Sequence, residues 1–169
     1  MEQFRYDSYC GLYCGACDIM AIFQRSVKEN WVPTWEDLPT KMCENLTFIK
    51  KQDIKCYGCK TDNVFGGCAK CLIRKCAREK KKVMVCLECD KYPCLRFRIF
   101  SLVRGFMKKK LPHLTSVASN QEYIGEYGMI NWLIEQENQW SCPQCGAGFT
   151  WYMKKCHSCG CELESTKGF

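Results

Sequence analysis

At 169 residues, 47% of them hydrophobic, the chain can bury an ordinary core and suits one domain, or one domain with a small appended module. Its 17 cysteines point to cross-linking by sulfur or metal, and their odd number excludes complete pairing as disulfides. The formal charge of +7 counts every cysteine as neutral, whereas a metal-bound cysteine is a thiolate. If sixteen cysteines hold four Zn²⁺ ions, sixteen negative and eight positive charges bring +7 to −1, so the basic excess alone is no argument for a nucleic-acid partner.

The first residues, MEQFRYDSYCGLYC, carry acidic and basic side chains where a signal peptide has its apolar stretch. No apolar run approaches the roughly 20 residues of a membrane span. A cytoplasmic protein without a membrane partner is expected. In a reducing cytosol, thiols at Cys-x2-Cys spacing serve metals more often than disulfides, which stand as the alternative.

In chain order, Cys10-x3-Cys14-x2-Cys17 comes first. Radical-SAM enzymes share that spacing, holding a 4Fe–4S cluster with one iron left open. Their chemistry needs a large barrel around the cofactor, and this chain spends its length on further cysteines. A cluster without that chemistry suits the triad better. DIMAIFQRSVKEN at 18–30 reads as a helix. A lone Cys43 follows, then the pair Cys56 and Cys59. Two copies of one spacing come next: Cys68, Cys71, Cys76 and Cys86, Cys89, Cys94. Twelve ligands would fill three Cys₄ sites, each triad borrowing one cysteine from the remaining three. Two closed sites with spare thiols are equally compatible. The repeat makes sense if each turn feeds a short helix that carries the third sulfur back to the metal. LIRKCAREKKK looks helical, whereas Pro93 interrupts the second copy.

The 47 residues from 95 to 141 hold no cysteine and read as helical. Leu95, Ile99, Leu102, Val103 and Phe106 recur at helical spacing, with Arg96, Arg98, Arg104 and Lys108–Lys110 largely elsewhere. Pro112 ends that helix or marks the break after it. SNQE at 119–122 has the form of a capping box, with Ser119 at N-cap and Glu122 three residues on. Tyr123, Tyr127, Ile130 and Ile134 then share a face, while Gly125 and Gly128 weaken this second helix.

At the C-terminal end, CPQCGAGFTWYMKKCHSCG sets Cys142, Cys145, Cys156 and Cys159 as two Cys-x2-Cys pairs ten residues apart. Gly146 and Gly160 follow the second cysteine of each pair, where a positive φ is often required, and Pro143 pre-sets the first turn. Ten residues suit a short β-hairpin, and FTWYM at 149–153 has strand-like composition. Four tetrahedral sulfurs describe a structural zinc ribbon, although the knuckles also resemble the rubredoxin-like domain of rubrerythrins, which takes iron. His157 reads as a polar loop residue and Cys161 as a surplus thiol.

YCGLYCGACDIM, CYGC, CLIRKCAREK and CLECDKYPCLRFRIF, in that order, resemble a cysteine-rich family known only as a domain of unknown function, number thirty-seven ninety-five. The segment YGMINWLIEQENQWSCPQCGAGFTWYMKKCHSCG is similar to a C-terminal extension found in many of its members. Carried over by position, the family's cysteines fall on Cys10, Cys14, Cys17, Cys56, Cys59, Cys71, Cys76, Cys86, Cys89 and Cys94. Cys43 and Cys68 match less clearly. The resemblance implies metal binding and supplies no reaction or partner.

Other catalytic constellations are missing from the sequence. Only His113 and His157 exist, and neither a Walker A loop nor a dinucleotide fingerprint occurs. An enzyme would need an exposed thiolate among Cys43, Cys68 and Cys161. Arg5, Arg74, Arg78 and Lys80–Lys82 form a candidate basic face. The expected fold is small, α+β and metal-stabilised, with irregular knuckles and short helices followed by a zinc-ribbon hairpin. Residues 1–112 would form the cysteine-rich metal-binding domain, 113–140 a helical connector and 141–169 the ribbon. Two to four zinc ions are expected, on Cys10, Cys14, Cys17, Cys56, Cys59, Cys68, Cys71, Cys76, Cys86, Cys89, Cys94, Cys142, Cys145, Cys156 and Cys159. The alternative is a 4Fe–4S cluster on the N-terminal cysteines. The leading function is a binding or adaptor module for a protein or nucleic-acid partner, with no evident small-molecule substrate; the other is a redox protein.

Overall fold

Helix α1, Asp18–Glu29, shows how local sequence becomes structure in this chain. A computed structural model describes residues 3–38 and 53–164, so Cys43 lies outside the described residues. Cys17, in an extended conformation, sits at the N-cap of α1, and Asn30 closes it in the left-handed region at φ 56°. Ile19, Met20, Ile22, Phe23 and Ser26 form its buried stripe.

The cysteine repeat does not produce two equivalent units. Cys68 lies in the single turn α2, Gly66–Ala69, and Cys71 caps the equally short α3, Leu72–Lys75. From Cys76 to Lys81 the chain widens into a π turn. In the second copy, Cys86 opens a 3₁₀ turn, Cys86–Glu88, and Cys94 is the N-cap of α4, Leu95–Met107. A 3₁₀ turn, Pro112–Ser116, then runs straight into α5, Val117–Gln139. Ser119 is therefore inside the helix, not its cap, and its hydroxyl donates back to the Ser116 carbonyl. Gly128, at φ 83° and ψ 164°, breaks α5 between its two halves.

The secondary structure is helix-dominated, which corrects the α+β expectation. Among the described residues, β pairing is confined to two isolated antiparallel bridges, Ser141 with Gly148 and Lys155 with Glu162. FTWYM is no strand. Phe149, Thr150, Trp151 and Tyr152 are buried, and the Trp151 backbone N–H donates to the Ala16 carbonyl rather than to a hairpin partner. Docking on the N-terminal region takes up this one hydrogen bond, while the Phe149 N–H still bonds locally to the Trp140 carbonyl.

One hydrophobic cluster joins the ends of the chain. Met20 and Phe23 of α1, Tyr13, Ile54, Phe65 and Trp132 of α5 pack together with Trp140, Phe149 and Trp151. The apolar residues of α4 do the reverse of what an amphipathic pattern suggests. Phe97 is the buried one, while Leu95, Ile99, Leu102, Val103 and Phe106 are all exposed, Phe106 at 88%. Among the described residues, no helix is long and apolar enough to cross a membrane.

Candidate metal centres

Two knuckles form the C-terminal centre, and they repeat each other's hydrogen bonds at an offset of fourteen residues. Cys142 N–H donates to Ala147 O and Gly146 N–H to Cys142 O; Cys156 N–H donates to Cys161 O and Gly160 N–H to Cys156 O. Gly146 and Gly160 hold φ of 74° and 75°, as the sequence predicts for the residue after each pair. The four sulfurs of Cys142, Cys145, Cys156 and Cys159 lie within 4.8 Å of one another. Cys142 is 3.7 Å from Cys159, and Cys145 is 3.6 Å from Cys156. A tetrahedral Zn²⁺ with Zn–S near 2.3 Å sets its sulfurs about 3.8 Å apart, so these separations are those of a single thiolate-bound ion.

The thiols of this centre are already polarised. Burial raises the Cys142 thiol, but backbone N–H groups of Gln144 and Cys145 outweigh it and bring the pKa down to about 6. Backbone N–H groups of Cys159 and Ser158 likewise lower Cys156. Cys145 and Cys159 are pushed up to about 11, each accepting a backbone N–H that favours its thiolate but outweighed by burial and neighbouring thiol contacts. Two thiols that ionise more readily than usual, beside two that release their protons on binding, suit a divalent ion. Cys161 lies outside the four-sulfur group, although its sulfur is 3.2 Å from that of Cys142, on the position corresponding to Ala147 in the first knuckle. The signal in the sequence is the Cys-Gly-Cys run at 159–161. His157 is exposed and outside the group.

In the N-terminal region three Cys-x2-Cys pairs adopt the same tight turn. The N–H of Cys17, Cys71 and Cys89 donates to the carbonyl of Cys14, Cys68 and Cys86 respectively. A fourth pair, Cys56 and Cys59, turns through Gly58 at φ 122°. A Cβ there would stand 2.0 Å from the Arg5 carbonyl oxygen, so only glycine admits this approach. Two neighbourhoods result, with Cys10 acting on both. Cys14, Cys17, Cys59 and Cys68 have raised pKa values, by desolvation first and then by neighbouring thiols that include Cys17, Cys56, Cys59 and Cys71; Cys17 and Cys59 are pushed to about 12. Cys86, also pushed to about 12 by burial, feels Cys10, Cys94, Cys76 and Cys89. Among the described residues, no three sulfurs outside the C-terminal four lie within 4.8 Å of one another, and every described cysteine is a free thiol.

The raised pKa values also bear on a reactive thiolate, which requires a lowered one. Cys68 is exposed as a residue, yet its sulfur lies among those of Cys17, Cys56, Cys59 and Cys71 and its pKa is well above the ordinary value, desolvation leading. Contact with Cys142 raises Cys161. Two of the basic side chains turn inward, whereas Lys80–Lys82 stay exposed. Arg74 is buried and donates to the carbonyls of Cys59 and Thr61; Arg78 reaches Thr61 O and Asp62; buried Lys60 pairs with Asp7. Arg74 thus braces the Cys56–Cys59 turn and does not belong to a basic face.

Buried polar groups hold the knuckles against the rest of the protein. Thr150 donates to Asp18, whose carboxyl is pushed up to about 7 by burial despite that bond. His113 stacks on Trp151 at 4.1 Å with the rings 2° from parallel, and its Nδ1 is 2.7 Å from the Tyr152 hydroxyl. Burial lowers the His113 pKa to about 3. The folded state therefore takes up this proton later than the unfolded chain does. Stability from keeping the ring neutral is full above about pH 6.5 and falls as pH drops toward 3. At pH 5 the loss is about 2 kcal/mol. Phe in place of His113 keeps the stack but gives up the hydrogen bond, about 1 kcal/mol at neutral pH. The His113→Phe protein is expected to be the less stable at pH 7.5 and to match or exceed wild type at pH 5. Denaturant midpoints at the two pH values check this; a gap that does not change with pH would show that His113 does not titrate as its burial requires.

The centres define a cysteine-rich protein with a four-sulfur group fit for a metal ion, tied into a mostly helical scaffold. The chain belongs to the family described as Protein of unknown function (DUF3795), whose family model matches residues 6–98. That span contains all the N-terminal cysteines and leaves the C-terminal knuckles outside it. Neither the curated proteins nor the solved structures contain a significant match.

Proposed function

We propose that the protein is a cytoplasmic, zinc-braced binding module that presents the exposed face of α4 to a protein partner. The metal part of this reading is carried by the C-terminal sulfurs, whose 3.6 and 3.7 Å separations suit one Zn²⁺. The binding part is supported by Leu95, Ile99, Leu102, Val103 and Phe106, which leave a helical apolar stripe open to water. A protein surface suits that apolar stripe better than nucleic acid does, and Arg74 and Arg78 are spent on the carbonyls of Cys59 and Thr61 and on Asp62. Random DNA is expected to bind the metal-loaded protein weakly at physiological salt, without the steep salt slope of many phosphate contacts. The double substitution Leu102→Glu, Phe106→Glu is expected to leave metal content and stability unchanged while abolishing capture of the partner. Tight DNA binding that falls steeply with salt and is lost on neutralising Arg104 and Lys108–Lys110 would replace this reading with a nucleic-acid one.

A second reading concerns the N-terminal region. Its sulfurs gather without three of them coming within 4.8 Å, unlike the C-terminal four. Cys10, Cys14 and Cys17 form a three-cysteine run of the kind that binds iron–sulfur centres, which supports such a centre on the N-terminal cysteines.

A further inference from the structure

Between α4 and α5 lies a cavity of about 650 Å³ that the metal centres do not use. Phe97, Ser101 and Arg104 line it from α4, and Ala118, Glu122 and Gly125 from α5, each set at steps of three and four residues along one helix face. The segment 86–94 closes the third side with Leu87, Tyr92 and Pro93. A Cβ on Gly125 would stand 3.2 Å from Leu87 Cδ2, so this segment and α5 already touch there. The Tyr92 ring meets that of Phe97 edge-on at 4.8 Å, which makes an aromatic wall.

We propose that this cavity binds a small apolar carboxylate, with Arg98 and Arg104 holding its anionic head. The volume falls within the roughly 300–1,000 Å³ of small-molecule pockets. Leu87, Pro93, Phe97 and Leu102 make the walls largely apolar, and they match an apolar body. The charged groups decide the head. Arg98 and Arg104 stand against the single carboxylate of Glu122, which favours an anion over a cation. Arg104 is held in place by its Nη1, which donates to the Leu114 carbonyl at 3.5 Å and uses one donor of a guanidinium that has several. A planar guanidinium also matches a carboxylate with two parallel hydrogen bonds. The Tyr92 phenol feels the charges of both Arg104 and Glu122, so the ends of those side chains lie near one hydroxyl. Of the outer stripe of α4, Leu102 alone belongs to the cavity, and the site does not rest on that stripe docking a partner.

The test titrates the metal-loaded full chain with laurate and with dodecylamine, which share one alkyl chain and carry opposite charges, and reads binding by calorimetry. Laurate is expected to saturate a single site, with dodecylamine weaker by about tenfold or more. The double substitution Arg98→Gln, Arg104→Gln is expected to bring laurate down to the level of dodecylamine. Ala118→Trp, at an exposed position, fills the cavity without touching the core. It is expected to abolish laurate binding while metal content and denaturant midpoint stay as in wild type. Absence of saturable laurate binding, or equal affinity for the two probes, would overturn the proposal. Laurate binding that survives Ala118→Trp would overturn it too, and its loss in Leu102→Glu, Phe106→Glu would then place the acid on the outer stripe. Should Ala118→Trp shed its metal and unfold, Arg98→Glu, Arg104→Glu decides. There the preference is expected to reverse toward dodecylamine, and an unchanged preference for laurate would overturn the assignment.

Discussion

Cys145→Ser is expected to remove one metal ion per chain and to leave the metal of residues 10–94 in place. Cys145 is exposed, so its hydroxyl replacement disturbs little packing while removing one of four thiolates. Structural zinc in small thiolate sites is worth roughly 10–16 kcal/mol of apparent binding energy that is also folding energy. The knuckles have few other means of support: two isolated bridges and a handful of turn hydrogen bonds. Their remaining hold is the burial of Trp140, Phe149, Trp151 and Tyr152 in the shared core. The variant should therefore lose order around residues 142–163 and become open to proteolysis there, while the N-terminal centres stay loaded in native mass spectrometry. Loss of all metal together would show the centres to be one cooperative unit. Unchanged metal content would show that these four sulfurs are not the ligands. Cys161→Ser makes the comparison sharper: Cys161 is 3.2 Å from Cys142 but outside the four-sulfur group, so retention of the ion in that variant is expected, and loss would make Cys161 a ligand in its own right.

What could be read from the sequence was whatever local geometry decides. The knuckle glycines, the extent of α1 and the helices of 95–139 follow from spacing and periodicity within a few residues, although the cap expected at Ser119 does not form. The misreadings have long-range causes. FTWYM has strand composition, yet its aromatics are claimed by Ala16, His113 and α1, more than thirty positions away in every case. The stripe of α4 has helical period, but a period says only that two faces differ, and here the single Phe97 turns inward. Arg74 looked like surface charge because a sequence does not show that the Cys59 and Thr61 carbonyls point at it. The cysteines carry the same lesson, since spacing identifies the turns and says nothing of which turns meet.

Trp132→Ala is expected to cost about 3–5 kcal/mol, the range for emptying a fully buried aromatic site. Trp132 is 1% exposed and sits on α5 just beyond the Gly128 break, with its ring edge-on to Tyr13 at 6.0 Å. Tyr13 lies between Cys10 and Cys14, so the cavity would open directly behind the first cysteine triad. A total stability of 5–15 kcal/mol for a domain makes this loss a large share. Denaturant unfolding at fixed metal loading measures it, and the same variant should surrender its N-terminal metal to a chelator faster than wild type. The indole N–H of Trp132 has no hydrogen-bond partner among the described residues, which already penalises the native state. Trp132→Phe should therefore cost much less than Trp132→Ala, because the smaller ring keeps most of the contact and removes the orphaned donor. An alanine penalty below about 1 kcal/mol would mean that Tyr13 and the cysteine loop do not depend on this tryptophan. Equal penalties for alanine and phenylalanine would place the indole N–H in a bond to water or metal-bound sulfur, making it a stabilising donor.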